Sequence, residues 1–268
     1  MISCLTETRF HFSFLYERMR YREIVWVVKN QRQLNKELLD CVHSSLSKKE
    51  FINDSDICLL EKAYGRLSPS DIYLAERYGV PAHHMLSAEN IIEARHFDEA
   101  CLQKVRVRYD QYDRKGAVVF RDIMLNTRWM AFFDSKIVSA HSAMLPYALG
   151  QYAIEQIAVM GDNRQLEQAA GATLYYLDGV LDEPSLVAQE ALLHLWNLPS
   201  IWAVKGESYL IAFRLLDDYL NTDAAFSRRD VIKQQIATDY RIFARSTLSE
   251  DEKRVAQKNF LSMKKDFI

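Results

Sequence analysis

Glycine and proline are scarce in this chain: eight Gly and five Pro are spread over 268 residues. Sheets joined by tight turns need many such residues, because glycine and proline adopt the backbone angles of turns most readily. Their scarcity therefore argues against an all-β protein. Hydrophobic residues nevertheless make up 49% of the chain, which excludes disorder and suffices for a sizeable core.

Closely spaced cysteine pairs are absent as well. The residues Cys4, Cys41, Cys58 and Cys101 show no C-x-x-C spacing, which fits buried or free thiols in a reducing compartment. The N-terminal stretch contains Glu7 and lacks the basic-then-apolar order of a signal peptide. Together these observations predict a cytoplasmic location.

The common catalytic motifs are missing too. There is no G-x-S-x-G nucleophile elbow and no glycine-rich phosphate loop. Cys41 has His43 nearby, but two residues that are two positions apart point to different faces of a helix. We therefore predict no catalytic residue and no cofactor.

The longest uncharged stretch covers residues 137–154, between Lys136 and Glu155. It contains polar residues, His141 and Ser142 among them, and polar groups in lipid cost several kcal/mol unless they find partners. We therefore expect a place in a protein core and no membrane association. The stretch predicts a helix buried on nearly all sides, packed against a second helix over 168–177.

Helix starts are the clearest local signal. A Ser or Asp N-cap accepts a hydrogen bond from a backbone amide of the first turn, and an acidic or amide side chain three positions on can reach back. The pattern recurs at five places: Ser47–Glu50, Ser68–Asp71, Asp162–Gln165, Ser227–Asp230 and Ser249–Glu252. Gly79 followed by Pro81 predicts the end of the helix that begins after Ser68.

These patterns predict an all-α fold: an irregular stack of antiparallel helical hairpins with about ten to twelve helices and no substantial sheet. Residues 7–46 are predicted to form one or two helices. Within this range residues 24–28 are rich in β-branched side chains, which favours a strand, but charged residues flank them at helical spacing and we predict a helix there as well. The other predicted helices span roughly 55–66, 69–79, 87–114, 117–145, 146–160, 163–180, 184–197, 207–221, 228–245 and 250–265. Gly116 is the expected boundary between an N-terminal lobe, 1–116, and a C-terminal lobe, 117–268, unless the chain forms one continuous domain.

Charge is unevenly distributed along the chain. Over residues 137–226 acidic side chains dominate, and only Arg164, Lys205 and Arg214 oppose them. A concentrated acidic field attracts a positively charged protein and slows the approach of nucleic acid. The charge pattern therefore predicts a basic protein partner and no nucleic-acid partner.

The leading functional hypothesis is a non-enzymatic, α-helical protein-binding module, such as a toxin-neutralising immunity protein or an adaptor. Its acidic surface would engage the basic partner. The residues predicted to form this surface are Asp178, Asp182, Glu183, Glu190, Asp217 and Asp218.

A metal-dependent helical-bundle enzyme is the alternative hypothesis. Glu93 and His96 are three positions apart, and Glu190 and His194 are four apart. On a helix each pair would share a face and could hold one metal ion. A di-iron bundle resembling ferritin would need two Glu-x-x-His pairs, and only the first pair has that spacing.

Overall fold

The computed structural model describes residues 1–30, 34–110, 116–120, 125–177, 185–223, 225–227, 232–233, 242–243 and 247–267. Within these ranges the chain is an α/β protein with both parallel and antiparallel strands. The prediction of an all-α stack of helical hairpins without a substantial sheet is therefore wrong.

Strands and helices alternate along most of the chain. The strands are β1 (Ile2–Glu7), β2 (Ile24–Lys29), β3 (Ile91–Ala94), β4 (Gly116–Val119), β5 (Ile137–His141), β6 (Leu149–Gly150), β7 (Gly171–Tyr176), β8 (Ser185–Ala191), β9 (Ile232–Lys233) and β10 (Ile242–Phe243). The helices are α1 (Phe12–Met19), α2 (Lys36–Leu46), α3 (Asp54–Tyr64), α4 (Pro69–Tyr78), α5 (Glu99–Tyr109), α6 (Thr127–Phe132), α7 (Ala153–Met160), α8 (Asn163–Ala169), α9 (Ile201–Leu220) and α10 (Glu250–Lys264).

The chain divides into two compact units. Unit 1 comprises Met1–Ser139 and Ala224–Ser227, and unit 2 comprises Ala140–Asp223 and Arg228–Ile268. The division falls within β5. The boundary predicted at Gly116 lies inside unit 1, at the start of β4.

Unit 1 contains a parallel sheet in the order β3-β2-β1-β4-β5. Cys4 in β1 lies opposite Trp26 of β2 on one side and Val118 of β4 on the other. Nearly every residue of these three strands is buried. A strand covered on both faces reads as a continuous hydrophobic run rather than as an alternating one. For this reason residues 24–28 form a strand, as their β-branched side chains favour, and not the helix that we predicted.

Unit 2 combines antiparallel strands with helices. Strand β7 pairs with β8, β8 pairs with β9, and β6 forms a separate parallel pair with β10. Helix α9 packs against β7, and α10 packs against α7. Their apolar side chains, including Ile157, Ile201 and Phe260, form a buried core.

The uncharged stretch 137–154 does not form one buried helix. It contains β5, a loop with a cis Leu145–Pro146 peptide bond, β6 and the first two residues of α7. A fully buried strand is as apolar as a buried helix, so hydrophobicity without a clear period cannot separate the two. Ile137 and Val138 are β-branched and favour the strand.

Several other predicted helices are replaced by strands in the structure. The range 87–114 contains β3 before α5, 117–145 contains β4 and β5 around α6, 163–180 contains β7 after α8, and 184–197 contains β8. Of the range 228–245, the structure describes only the short strands β9 and β10. Helices α3, α4 and α10 lie where they were predicted, and α9 begins earlier than expected.

Three of the predicted helix starts are confirmed. In each one the N-cap side chain accepts a hydrogen bond from the amide three positions on: Ser68 in α4, Asp162 in α8 and Ser249 in α10. Gly79 ends α4 as predicted. Ser47 instead follows the last residue of α2, so a helix start there is wrong, and the residues that follow Ser227 lie outside the described ranges.

None of the helices in the described part of the chain has both the length and the apolar character that crossing a bilayer requires.

Candidate functional site

The carboxyl end of β5 carries a histidine. His141 is the last residue of the strand and is half-buried. Its Nε2 lies 3.1 Å from the carbonyl oxygen of Ala148. Because a carbonyl oxygen can only accept, Nε2 holds the proton and donates it, and the lone pair of the neutral ring is on Nδ1. The Ala148 carbonyl therefore favours the tautomer whose lone pair is on Nδ1.

A buried lysine contacts the residue that follows this histidine. Lys205, in α9, is 6% exposed, and its Nζ donates a hydrogen bond to Ser142 Oγ at 2.8 Å. Nζ also lies 5.1 Å from the centre of the Tyr209 ring, within range of a cation–π interaction. Removing an ammonium group from water costs several kcal/mol unless hydrogen bonds or a negative charge compensate. The contact thus places the Lys205 ammonium group next to Ser142, directly after the end of β5.

The loop after these residues is held in place from two strands. The Thr173 hydroxyl, on β7, accepts from the amide of Leu145 at 3.0 Å and donates to the carbonyl of Ala143 at 2.9 Å. Gln189, on β8, donates to the carbonyl of Leu145. Buried backbone groups need such partners, because an unpaired one costs about 1–3 kcal/mol. The three hydrogen bonds fix the backbone that presents the histidine and the serine.

Unit 1 has a polar feature of its own at the carboxyl end of β1. The strand order reverses between β1 and β4, and ligands of open α/β sheets bind outside the carboxyl ends of strands at such a reversal. Glu7 is buried there, and its carboxylate accepts a hydrogen bond from Arg9 Nε at 3.1 Å. The Arg9 side chain is half exposed.

A second cluster of unit 1 is built around buried histidines. The rings of His43 and His84 are 5.0 Å apart. His43 Nδ1 donates to the carbonyl of Pro81 at 2.7 Å, and Nε2 therefore accepts from the Tyr64 hydroxyl at 2.6 Å. Burial lowers the pKa of His43 to about 4, although the bond to Pro81 opposes this shift. Both nitrogens are occupied and the ring is sealed from solvent, so we interpret His43 as a structural residue.

His84 differs from its neighbour in one respect. Its Nε2 lies 2.8 Å from Asp40 Oδ1, and a carboxylate there can only accept, so Nε2 donates. Its Nδ1 is buried and has no hydrogen-bond partner among the described residues. Burial lowers the pKa of His84, and the Asp40 carboxylate opposes the shift only in part. The ring is therefore neutral near pH 7.

The acidic residues predicted to bind a basic partner have different surroundings. Glu190, on β8, forms an ion pair with Arg214 of α9. The positive charge of Arg214 therefore lies beside Glu190 and offsets its negative charge. Asp217 and Asp218 lie in the last turn of α9. The other three predicted residues, Asp178, Asp182 and Glu183, fall outside the described ranges.

The two Glu–His pairs of the metal hypothesis do not lie on helices. Glu93 is in β3, where its carboxylate accepts from Asn30 at 2.9 Å, and His96 is exposed in the loop that follows. Glu190 is in β8, and His194 is exposed in a left-handed conformation beyond that strand. The helical spacing that united each pair is therefore absent. Over the ranges that the structure covers, no group of three or more His, Cys, Asp and Glu residues is arranged to hold a metal ion.

His141, Ser142 and Lys205 were not among the predicted site residues. Two signals were present. His141 and Ser142 directly follow a short apolar run that contains β-branched residues, which is where a buried parallel strand ends. Lys205 is the one basic residue between Arg164 and Arg214, and it lies in an otherwise apolar part of α9.

No protein-family model matches the chain, and no curated protein matches it by sequence. Similar solved structures include glycinamide ribonucleotide transformylase 1 from Symbiobacterium toebii, with 15% identity and a TM-score of 0.47 over 81% of this chain and 84% of that one. Phosphoribosylglycinamide formyltransferase from Anaplasma phagocytophilum has 13% identity and a TM-score of 0.47 over 91% and 98%. The formyltransferase PseJ from Anoxybacillus kamchatkensis, solved with a formamido sugar nucleotide and tetrahydrofolate, has 12% identity and a TM-score of 0.42 over 57% and 74%.

The prediction of a non-enzymatic helical binding module, exemplified by an immunity protein, is wrong. The helical body that it required is replaced by an α/β fold.

Proposed function

We propose that this chain is an enzyme that transfers an acyl group, formyl in the simplest case, from a donor to an amine, with His141 as the acid–base residue. The observation that supports the proposal is the hydrogen bond from His141 Nε2 to the carbonyl of Ala148. It fixes the tautomer that a proton acceptor needs, on a half-buried ring at the end of a strand. The names of the similar structures only determine which acyl group is tested first.

The chemistry assigned to His141 is a proton transfer in each direction. The nitrogen of the acceptor amine attacks the carbonyl carbon, a C–N bond forms, and the carbonyl π electrons move to oxygen. Nδ1 of His141 takes the proton that the attacking nitrogen loses. When the intermediate collapses, the bond from carbon to the donor nitrogen breaks, and the imidazolium returns the proton to that nitrogen. The products are a formamide and the deformylated donor, so atoms and charges balance.

The experiment is a transfer assay with an isotopically labelled formyl donor. A formylated tetrahydrofolate serves as donor, and glycinamide ribonucleotide and an amino-sugar nucleotide serve as acceptors; the labelled formamide is detected by NMR. A positioned acid–base residue contributes about 10²–10⁴-fold to the rate. We expect H141Q to lose activity to that extent.

The matched control is H194Q, because His194 is an exposed histidine of the same unit. It should retain the wild-type rate. Transfer by H141Q at the wild-type rate, or the absence of transfer to either acceptor by the wild-type protein, would contradict the proposal.

We also place this enzyme in the cytoplasm. All four cysteines are unpaired thiols, and Cys4 and Cys101 are buried. Such thiols persist in a compartment that keeps them reduced.

A further inference from the structure

The hydrogen bond between Lys205 and Ser142 determines where the serine proton points. An ammonium group has donors and no acceptor, so Nζ donates to Ser142 Oγ across the 2.8 Å contact. The serine hydroxyl must then direct its own proton to a third atom. No acceptor for that proton is recorded among the described residues, so the hydroxyl can serve as a donor to a ligand.

The lysine makes that donor stronger. A hydrogen bond from a charged group polarises the hydroxyl that accepts it, and such bonds are roughly twice as strong as neutral ones. No carboxylate of the described residues lies within ion-pair distance of Lys205, and its other recorded contact is the Tyr209 ring. The positive charge of Lys205 therefore has no negative partner among the described residues. A negative charge that develops on a ligand next to Ser142 would compensate it.

We propose that Ser142 is a catalytic hydrogen-bond donor to the carbonyl oxygen of the acyl group under transfer, and that Lys205 is a positioning residue that orients and polarises it. The inference rests on the proposed function and names its substrate class: an acyl donor whose carbonyl oxygen becomes negative in the transition state. The serine follows His141 directly in the sequence, and the proposal assigns both roles to this short segment. Removing one oxyanion donor typically lowers kcat by about 10²–10³-fold.

The kinetic test compares S142A, S142T and K205M with the wild-type protein in the formyl-transfer assay. We expect S142A and K205M each to lose about 10²-fold in kcat with little change in KM, and S142T, which keeps the hydroxyl, to recover most of the rate. Because Lys205 acts through Ser142, the double variant S142A/K205M should be no slower than the slower single variant. Multiplying losses in the double variant, or a wild-type kcat in S142A, would overturn the proposal.

A binding test separates this inference from the function on which it rests. The probe is ¹³C-labelled formate, whose carboxylate oxygen stands in for the developing oxyanion, titrated by NMR against the folded proteins without any acyl donor. We expect S142A and K205M to bind formate at least about tenfold more weakly than the wild type. K258M, which removes an exposed lysine of α10, should bind as the wild type does.

Equal binding of formate by S142A and the wild-type protein would overturn the role of Ser142, even if H141Q abolishes transfer. Absence of formate binding by the wild type would overturn it as well. Conversely, tight serine-dependent binding together with normal transfer by H141Q would sustain the anion site and contradict the proposed role of His141. K205M can fail to fold because Lys205 is buried. S142A, which only removes a hydroxyl, then decides the outcome.

Discussion

Protonation of a buried imidazole, His43, is expected to make unit 1 less stable in acid. The pKa of His43 is about 4 in the folded protein, because burial disfavours the charged ring, and about 6.5 in an unfolded chain. Between these two values the unfolded chain binds the proton and the folded protein does not. Stability is therefore fully present above about pH 6.5 and falls as the pH drops toward 4, by about 3 kcal/mol in all.

Urea unfolding of the wild-type protein and H43N at pH 7 and pH 5 measures this effect. Asparagine can keep the hydrogen bond to Pro81 but cannot titrate. We expect the wild type to lose about 2 kcal/mol more than H43N over this interval. Equal losses in the two proteins would show that His43 does not carry the acid sensitivity.

Thr173 is the residue on which the geometry of the site loop depends. Its hydroxyl is buried and bonds the amide of Leu145 and the carbonyl of Ala143. T173V keeps the shape of the side chain but leaves both groups unpaired, so we expect a loss of about 1–3 kcal/mol in the free energy of unfolding. T173S keeps the hydroxyl and should lose less than T173V. The prediction fails if T173V unfolds at the same urea concentration as the wild type.

At the scale of the element, helix starts were the part of the fold that the sequence predicts best. A capping side chain and the amide that it satisfies are three positions apart, so the interaction is entirely local and visible in the sequence. The capping boxes of α4 and α10 illustrate this. Whether an apolar stretch forms a strand or a helix could not be predicted from such a local interaction. Residues 137–154 are apolar because neighbouring elements cover them, and those neighbours are distant in sequence.

The cap of α10 provides a simple test. Ser249 is exposed, and its hydroxyl accepts from the amide of Glu252 at 3.2 Å. We expect S249A to lower the free energy of unfolding by about 1 kcal/mol. S262A, at an exposed position inside the same helix, should be neutral or slightly stabilising because alanine is the better helix former. Chemical denaturation of both variants gives the comparison, and a neutral S249A would argue against the capping box.

The pairing of β7 with β8 depends on a glycine. Gly171 has φ +139°, and a Cβ there would lie against the backbone oxygen of Glu190 on the neighbouring strand. We expect G171A to cost about 3 kcal/mol or more, because backbone strain and a steric clash add.

Gly79, at the end of α4, is the matched position for that substitution. It also has a positive φ, but nothing lies within 4 Å of a Cβ built on it. G79A should therefore cost less than G171A, about 1–3 kcal/mol from backbone strain alone. Thermal unfolding of G79A and G171A separates the cost of backbone strain from the cost of strain with a steric clash. Equal losses of stability in the two variants would contradict the close approach of β7 to β8 at Gly171.

For the whole molecule, the order of strands lay beyond what the sequence could predict. The parallel sheet joins β1 to β4, which are separated by more than a hundred residues, and no local pattern encodes such a pairing. The site was missed for the same reason. His141 and Ser142 are visible as polar residues in an apolar run, but Lys205 reaches Ser142 only through the fold.

The sheet should dominate the pattern of amide hydrogen exchange. Strands β1, β2 and β4 are buried almost throughout, whereas most residues of β8 are only half-buried. Amides of buried strands open only when the structure around them unfolds. We expect the slowest exchange in β1, β2 and β4 and faster exchange in β8. Faster exchange in the three central strands than in β8 would contradict the described core.

The proposed enzyme activity depends on which nitrogen of the His141 ring carries the proton, and ¹⁵N NMR of the histidine side chains measures this directly. The His141 signals, assigned by their loss in H141Q, are predicted to show a proton on Nε2 and a lone pair on Nδ1 at pH values where the ring is neutral. A proton on Nδ1 instead would mean that the Ala148 carbonyl does not hold this ring. In that case the acid–base role proposed for His141 would lose its basis.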